Sequence, residues 1–238
     1  MSGRFGQPRV HYRLTDSTNA RARELAVAGA PDGTVVTAGE QSAGRGRQGR
    51  TWAAPPGRAL LMSAVVRDLG PRDALLPLAV PVAVADACDG FARANCGIKW
   101  PNDIWIGGRK LSGILLEGRP QEGWAVIGIG LNVGTTADEF PEELRSTATS
   151  LAIESGSDPG VDPVFEAVLA ALDARLRDEP KSILAARRKR DVLRGTSIRW
   201  NGGEGVAAGI NDDGALVVET DSGRVALDAG EVHLQRTP

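Results

Sequence analysis

The chain of 238 residues has very little of the material from which most metal sites and nucleophilic sites are built. It contains two histidines, His11 and His233, near opposite ends, and two cysteines, Cys88 and Cys96, eight positions apart without flanking ligand residues. A histidine-based triad or a zinc site is therefore disfavoured. In a cytoplasmic protein, this cysteine spacing predicts two reduced thiols and no disulfide.

Long apolar runs and an excess of one charge are also lacking. The first ten residues do not resemble a signal peptide, and no run reaches the roughly 18 apolar residues of a membrane helix, which predicts a cytoplasmic protein without a membrane partner. The net charge is −2, from 28 basic and 30 acidic residues. Bulk positive charge for binding nucleic acid is thus absent. Hydrophobic residues make up 42%, enough for a substantial core.

The first 194 residues mix helical and strand patterns. Polar capping residues at 16–19 predict a helix that begins there, and β-branched or apolar runs predict strands at 34–37 and 60–66. An alanine-rich stretch at 77–94 predicts a buried helix with Pro81 in its first turn or at a kink. Gly107-Gly108 predicts a two-residue hairpin turn. Further strands are predicted at 98–100, 104–106, 109–117 and 124–133, and further helices at 164–176 and 183–193.

The pattern changes near Gly195, after which only short strands and turns follow. Five such strands in about 45 residues favour a small SH3-like barrel. We therefore predict an α+β protein with a mixed or antiparallel sheet in a first domain at residues 1–194 and a barrel at residues 195–238. The barrel strands are predicted at 197–200, 205–210, 215–219, 224–227 and 231–234.

Residues 41–52 are rich in glycine and arginine, and we call them the arginine loop. Glycines let backbone amides approach an anion closely, and the guanidiniums of Arg45, Arg47 and Arg50 suit phosphate or carboxylate oxygens. The GK[ST] ending of a Walker loop is missing. The loop by itself fits anion binding and equally fits an arginine-glycine loop that contacts RNA or is merely flexible.

A second motif, Lys-Trp-Pro-Asn-Asp, occupies residues 99–103. Pro101 restricts Trp100 to an extended backbone, and Asn102-Asp103 favours a tight turn. Such a turn would fix Asp103 beside a ligand, where it would orient the loop or help to hold Mg²⁺. The alternative is an ordinary strand, turn and strand with a buried tryptophan.

Two further segments point to a ligand. Lys110, one of only four lysines, begins a predicted strand, and alternation sends Lys110, Ser112 and Ile114 to one face and Leu111, Gly113 and Leu115 to the other. Gly128 and Gly130 lie at alternate positions of a later strand, which leaves a slot for a flat ligand or for a crossing backbone. A solvated edge lysine and a close-packed bend are the alternatives.

Taken together, Asp-Ser-Thr-Asn (16–19), GRGRQGRxW (44–52), KWPND (99–103), GRKLSGILLE (108–117) and GIGLN (128–132) resemble the biotin–protein ligase family in order and rough spacing. The resemblance runs from about residue 12 to the end of the chain. It implies a catalytic domain akin to class II aminoacyl-tRNA synthetases, followed by a small SH3-like barrel.

The resemblance also implies roles for individual residues. Lys110 and Arg47 would be catalytic, and Lys110 would contact the biotin carboxylate and the transferred phosphate. The nucleotide side would comprise Arg47, Lys110, Trp52 over the adenine, and Asn132. The biotin side would comprise Ser17, Thr18, Asn19, Gln41, Arg45, Gly46, Arg47, Lys110, Gly113, Gly128 and Gly130.

The implied reaction consumes ATP with Mg²⁺, forms biotinyl-5′-AMP and transfers biotin to a lysine of a biotin carboxyl carrier protein. It depends on alignment and charge stabilisation, which fits a sequence without a credible nucleophile constellation. Only 15 residues precede Asp16, too few for the DNA-binding domain of some family members, so we expect no DNA partner.

Two other functions compete with biotin ligation. A lipoate–protein ligase shares the fold class and the adenylation chemistry, although the arginine loop and KWPND favour biotin. A nucleic-acid-binding module would use the arginine loop and the barrel. Its weakness is an aromatic content of only 4%, which supplies few stacking platforms for bases.

Overall fold

The computed structural model describes residues 4–228 and 230–234 and contains two β-sheets. The strands are β1 (Arg9–Tyr12), β2 (Val35–Ala38), β3 (Ala59–Arg67), β4 (Gly97–Lys99), β5 (Asp103–Ile106), β6 (Arg109–Arg119), β7 (Trp124–Asn132), β8 (Ser197–Trp200), β9 (Gly203–Ile210), β10 (Leu216–Thr220), β11 (Gly223–Leu227) and β12 (Val232–Leu234). The α-helices are α1 (Thr18–Val27), α2 (Leu76–Asp89), α3 (Leu151–Ser155), α4 (Val161–Arg175) and α5 (Pro180–Lys189). The predicted α+β class is confirmed.

The larger sheet has seven strands in the order β1-β2-β3-β7-β6-β5-β4. Its β1–β2 pair is parallel and its other pairs are antiparallel, so the sheet is mixed. The smaller sheet, which we call the C-terminal sheet, is antiparallel with the order β11-β10-β9-β8-β12. Its five strands correspond to the five short strands predicted after Gly195.

The two faces of the larger sheet have different partners because the side chains of a strand alternate. On β3, Met62 and Ala64 belong to the main core with α2 and α4. Val65, the residue after Ala64, packs with Ala22 and Ala26 of α1 on the opposite face. Helix α1 thus covers one end of that second face, and the functional residues lie beside its N-terminus.

Helix α2 is shorter than the sequence predicted. It ends at Asp89, not near residue 94, and Gly90 follows, a residue with poor helix propensity. The Asp89 carboxylate accepts a hydrogen bond from the Cys96 backbone N–H at 2.7 Å, which turns the chain back toward β4. Pro81 lies in the second turn of α2, inside the helix, so the first-turn alternative of the prediction is excluded.

Helix α5 ends at Lys189, although the sequence predicted helix to residue 193. Ile98 of β4 donates its N–H to the Arg190 carbonyl at 2.6 Å, and Val192 donates to the Ile98 carbonyl at 3.3 Å. Residues 190–192 therefore pair with β4 before the chain enters the C-terminal sheet. The helix begins earlier than predicted, with Pro180 as its first residue, where the missing N–H of proline costs no helical hydrogen bond.

Cys88 and Cys96 are buried and unbridged. A hydrogen bond with Cys88, together with burial, raises the pKa of the Cys96 thiol, which makes it a poor source of thiolate. In the described part of the chain, none of the helices is long and apolar enough to cross a membrane.

Candidate active site

Bare backbone forms the floor of the site on the face of the sheet that α1 partly covers. In the β6–β7 pairing, Gly113 lies opposite Gly130, and Leu115 lies opposite Gly128. Three of these four positions lack a side chain and lie on one face. The glycines that the sequence singled out therefore do form a continuous slot across two strands.

Two side chains lie directly on this slot. A Cβ atom at Gly128 would be 2.0 Å from Asn19 Oδ1, and one at Gly130 would be 2.5 Å from Trp52 Cε2. At Gly113 the nearest atom would be Trp52 Cζ3 at 3.2 Å. The cavity left over the slot is about 120 Å³, well below the roughly 300–1,000 Å³ of ordinary ligand pockets. A bound flat ligand therefore requires the Trp52 indole to move.

One end of the slot is polar. The backbone N–H and the hydroxyl of Thr18 both donate to Gln41 Oε1, at 2.7 and 3.0 Å. The hydroxyl of Ser63 lies 2.8 Å from Thr18 Oγ1 and 2.6 Å from Asn19 Oδ1. Asn19 Nδ2 donates to Glu117 Oε2 at 2.9 Å. This network fixes the amide of Asn19 over Gly128.

Ser63 and Glu117 were missed in the sequence. The signal for Ser63 was present, since it is the one uncharged polar residue within the otherwise apolar β3. Ser17, which was predicted, is buried just before α1 and lines the same cavity.

Lys110 reaches the slot because of an irregularity in β6. Trp105 pairs with Lys110, but the preceding Ile104 pairs with Ser112, so Leu111 is an extra residue in the strand. Such a bulge shifts the alternation by one position. Lys110 Nζ would be 3.3 Å from a Cβ on Gly113. The predicted alternation, which set Lys110 and Gly113 on opposite faces, is therefore wrong.

The Lys110 ammonium lies among groups that hold it over the site. Its Nζ is 2.7 Å from Asp103 Oδ1 and 5.8 Å from the centre of the Trp52 ring. The backbone of Lys110 is bracketed by Thr147 and Thr149, which exchange hydrogen bonds with it at 2.7 and 2.9 Å. Asp103 of KWPND and Lys110 of GRK, seven residues apart, thus meet in one ion pair.

The arginine loop covers the slot, and three of its arginines contact residues outside the loop. Arg47 Nη1 donates to Asn102 Oδ1 at 2.9 Å. Arg45 Nη1 is 3.9 Å from Glu117 Oε1, and the Arg50 guanidinium forms an ion pair with Glu231. Burial lowers the pKa of the Arg47 guanidinium, and the nearby Asp103 carboxylate opposes that shift. Gly46 also lines the cavity.

The cavity lining carries more positive than negative charge. Lys99 and Arg50 also line it. Arg50 had been named only as an anion-binding candidate of the arginine loop, and Lys99 had not been named as a contact. Burial lowers the pKa of the Lys99 ammonium, and Lys110 and Arg50 add to that shift while Asp103 opposes it. Such a surplus attracts an anion. The lining cations are Arg45, Arg47, Arg50, Lys99 and Lys110, and the lining carboxylates are Asp103 and Glu231.

Two predicted features differ from the rest. Asn132 is buried and donates from Nδ2 to the Thr149 carbonyl at 2.9 Å, so it braces the segment beside Lys110 and is not among the residues that line this cavity. Asp103, the predicted Mg²⁺ candidate, lines the cavity together with the cations named above. Among residues 4–228 and 230–234, however, no three or more His, Cys, Asp or Glu side chains form a metal-binding group.

The Gly128 position gives a direct test of the slot. In Gly128→Ala the added methyl would meet Asn19 Oδ1, so Asn19 must leave its partners Ser63 and Glu117. We expect affinity for the slot's ligand, measured by calorimetry with biotin, to fall about tenfold, the effect of losing one or two polar contacts. Gly118→Ala in β6 is the control, because a Cβ there meets only Pro120 Cδ at 3.8 Å. Equal affinities of the two variants would refute the assignment of the slot.

The chain is similar in sequence to biotin protein ligases over most of its length. Residues 11–133 match the model of the biotin/lipoate A/B protein ligase family, and residues 203–234 match that of the biotin protein ligase C-terminal domain. A bifunctional ligase/repressor BirA from Bacillus spizizenii is 36% identical, over 97% of this chain and 75% of that protein. A biotin–[acetyl-CoA-carboxylase] ligase from Mycobacterium tuberculosis is also 36% identical, over 93% of this chain and 87% of the relative.

Solved structures are similar over nearly the whole chain. The biotin protein ligase from Aquifex aeolicus in complex with biotin and ATP superposes with a TM-score of 0.83 at 28% identity, covering 96% of this chain and 99% of that one. The Leishmania major biotin protein ligase in complex with biotinyl-5-AMP gives a TM-score of 0.68 at 25% identity, covering 93% and 98% of the two chains.

Proposed function

Because the chain belongs to the biotin protein ligase family, we propose that it activates biotin with ATP and transfers it to a lysine of a biotin carboxyl carrier protein. The intermediate is biotinyl-5′-AMP. The observation that carries the proposal is the slot itself, which is polar at one end and surrounded by cations at the other.

The polar end supports biotin over lipoate. Biotin's ureido ring has two N–H donors and a carbonyl acceptor, whereas the dithiolane of lipoate offers no comparable donors. Thr18, Asn19 and Gln41 already form a hydrogen-bonded network there. The ureido ring of biotin can exchange hydrogen bonds with these groups, whereas the dithiolane of lipoate would gain none from them. In our proposal Ser17, Thr18, Asn19 and Gln41 bind the ureido ring.

The cationic end suits the adenylation step. A carboxylate oxygen of biotin attacks the α-phosphorus of ATP, the bond from phosphorus to the bridging oxygen breaks, and diphosphate leaves. Negative charge develops on the phosphoryl oxygens and on the leaving group. Lys110 and Arg47 stabilise the α-phosphate in this scheme, and Lys110 exchanges its partner Asp103 for a phosphate oxygen.

The metal requirement follows from the same donor set. Mg²⁺ in nucleotide sites is usually held by one or two carboxylates together with substrate phosphates and water. Asp103 offers one carboxylate in the cavity lining, which fits an ion that enters with ATP as its counter-ion and does not fit a resident all-protein site. When bound, Mg²⁺ would neutralise charge on the phosphates.

The transfer step needs protection from water more than it needs an enzyme nucleophile. The lysine amine of the carrier attacks the acyl carbon of biotinyl-5′-AMP, and AMP leaves as an amide bond forms. The arginine loop, with Arg45, Gly46 and Arg47, would close over the adenylate and exclude water. Trp52 would leave the glycine slot and cover the adenine side, and Asn132 would support the nucleotide side through Thr149.

The organisation of the chain is part of the proposal. We assign residues 1–194 to the catalytic domain and residues 195–238 to the SH3-like barrel domain. The larger sheet and the C-terminal sheet fall on the two sides of this boundary, and the match to the C-terminal domain of biotin protein ligases lies entirely within the second part.

An exchange assay tests the function. Purified protein with ATP and Mg²⁺ should exchange labelled diphosphate into ATP when biotin is present, and lipoate should be less effective on the order of 10⁴-fold, the discrimination of sites that hydrogen-bond an N–H or O–H group. A carrier domain should then become biotinylated, and the same domain with its acceptor lysine changed to arginine should not. Exchange that depends on lipoate, or none with either acid, would refute the proposal.

A further inference from the structure

We propose that Glu231 of the C-terminal sheet region is a positioning residue for the active site, because it holds the arginine loop closed over the adenylate. The inference rests on the proposed function, since it concerns retention of biotinyl-5′-AMP. It gives the C-terminal sheet a part in the reaction beyond that of a structural cap.

The contact itself joins two distant parts of the sequence. The Glu231 carboxylate forms an ion pair with the Arg50 guanidinium, and both residues line the cavity over the glycine slot. The Glu231 side chain is 24% exposed and that of Arg50 is 55% exposed. The other oxygen of Glu231 faces His233 Nε2 at 3.9 Å.

Holding Arg50 also fixes the backbone around Arg47. The Gly46 N–H donates to the Arg50 carbonyl at 2.7 Å, and the Arg50 N–H donates to the Arg47 carbonyl at 3.2 Å. Between them the chain turns through Gln48 and Gly49, both with positive φ. An anchor on Arg50 therefore restrains the turn from which the Arg47 side chain extends to Asn102.

The C-terminal sheet packs against the KWPND motif of the site, which restrains the position of Glu231. Trp100 of KWPND is buried in the apolar cluster of this sheet with Ile198, Leu216 and Val232. Its indole Nε1 donates to the Gly214 carbonyl at 3.2 Å. Lys99 and Asn102, on either side of Trp100, line the cavity. Val232, the next residue after Glu231, thus packs in the same cluster as Trp100.

The test measures how long the enzyme keeps its intermediate. Biotinyl-5′-AMP is formed on the full-length protein, excess nucleotide is removed, and release of labelled adenylate is followed with time. In Glu231→Gln we expect release to be about two- to fivefold faster, the size of effect for a partly exposed ion pair. In Glu231→Lys, which places a like charge beside Arg50, we expect a larger increase.

A matched pair of control variants separates this role from a merely structural one. Glu219 of β10 also forms an ion pair with an arginine, Arg224, at 2.7 Å within the C-terminal sheet. Glu219→Gln and Glu219→Lys should release adenylate at the wild-type rate, and all four variants should melt near the wild-type temperature. If the Glu231 variants release adenylate no faster than the Glu219 variants, the proposal is overturned. If Glu231 variants lose adenylate only in proportion to a lower melting temperature, the role is structural and the proposal is likewise wrong.

The outcome is independent of the test of the proposed function. A wild-type protein that forms no biotinyl-5′-AMP would refute the ligase proposal itself. A wild-type protein that forms and retains the intermediate, with Glu231 variants that retain it equally well, would refute only the role of Glu231.

Discussion

Lys110→Ala is expected to form biotinyl-5′-AMP more slowly by a factor on the order of 10²–10³, the usual cost of removing one group that stabilises developing negative charge. The Lys110 ammonium is the cation nearest to the slot floor, within 3.3 Å of where a Cβ of Gly113 would lie. Lys99 lies over the Trp105 ring, and Arg47 donates to Asn102, so neither side chain occupies the position of Lys110. The rate is measured by biotin-dependent exchange of diphosphate into ATP.

Folding of that variant should be preserved, because Lys110 is only partly buried and its ion pair with Asp103 lies at the cavity. Lys181→Ala, at an exposed position of α5, is the matched control and should exchange at the wild-type rate. Lys110→Arg should restore little activity, since a planar guanidinium is larger than an ammonium and the bulge leaves it facing the Trp52 ring. Near-normal exchange in Lys110→Ala would contradict the role given to this lysine.

Arg47→Ala should still form the adenylate but should lose it, so that free biotinyl-5′-AMP accumulates in solution. The guanidinium joins the arginine loop to Asn102 at 2.9 Å and faces the position proposed for the phosphate. A charge-assisted hydrogen bond of this kind contributes about 1.5–3 kcal/mol, so release should be faster on the order of 10- to 100-fold. Release is followed by chromatography of labelled adenylate after rapid removal of substrates.

Arg47→Lys provides an intermediate case, because it keeps the charge and loses the forked geometry. Arg199→Ala, which alters an exposed arginine of β8, should retain adenylate as the wild type does. Unchanged retention in Arg47→Ala would count against the assignment of the arginine loop, whatever its effect on the rate of adenylation.

Local sequence signals predicted most of the fold. Gly107-Gly108 predicted a tight hairpin because glycine adopts positive φ freely, and both residues do so, at 56° and 78°. The short strands after Gly195 were likewise located by their turn residues. The strand β1 and the short helix α3 were missed, since neither four nor five residues carry a clear period.

The site was predicted unevenly, for physical reasons. Glycines at alternate strand positions reveal a slot because the pattern is local. The bulge at Leu111 depends on which residues of β5 pair with β6, and that register is not written in β6 alone. The contacts of Arg50 with Glu231 and of Asn19 with Glu117 join residues far apart in the chain. Only the assembled structure brings such partners together.

The extra residue in β6 makes the pairing register of that strand matter as much as its composition. Leu111 is fully buried and belongs to the main core, so other apolar side chains of similar volume would serve there. Regular pairing that kept Leu111 would be different in kind, because Lys110, two positions before Ser112, would then turn with Ser112 toward the helices behind the sheet and away from Gly113. A graft of this lysine onto another scaffold must therefore carry the irregular pairing with it.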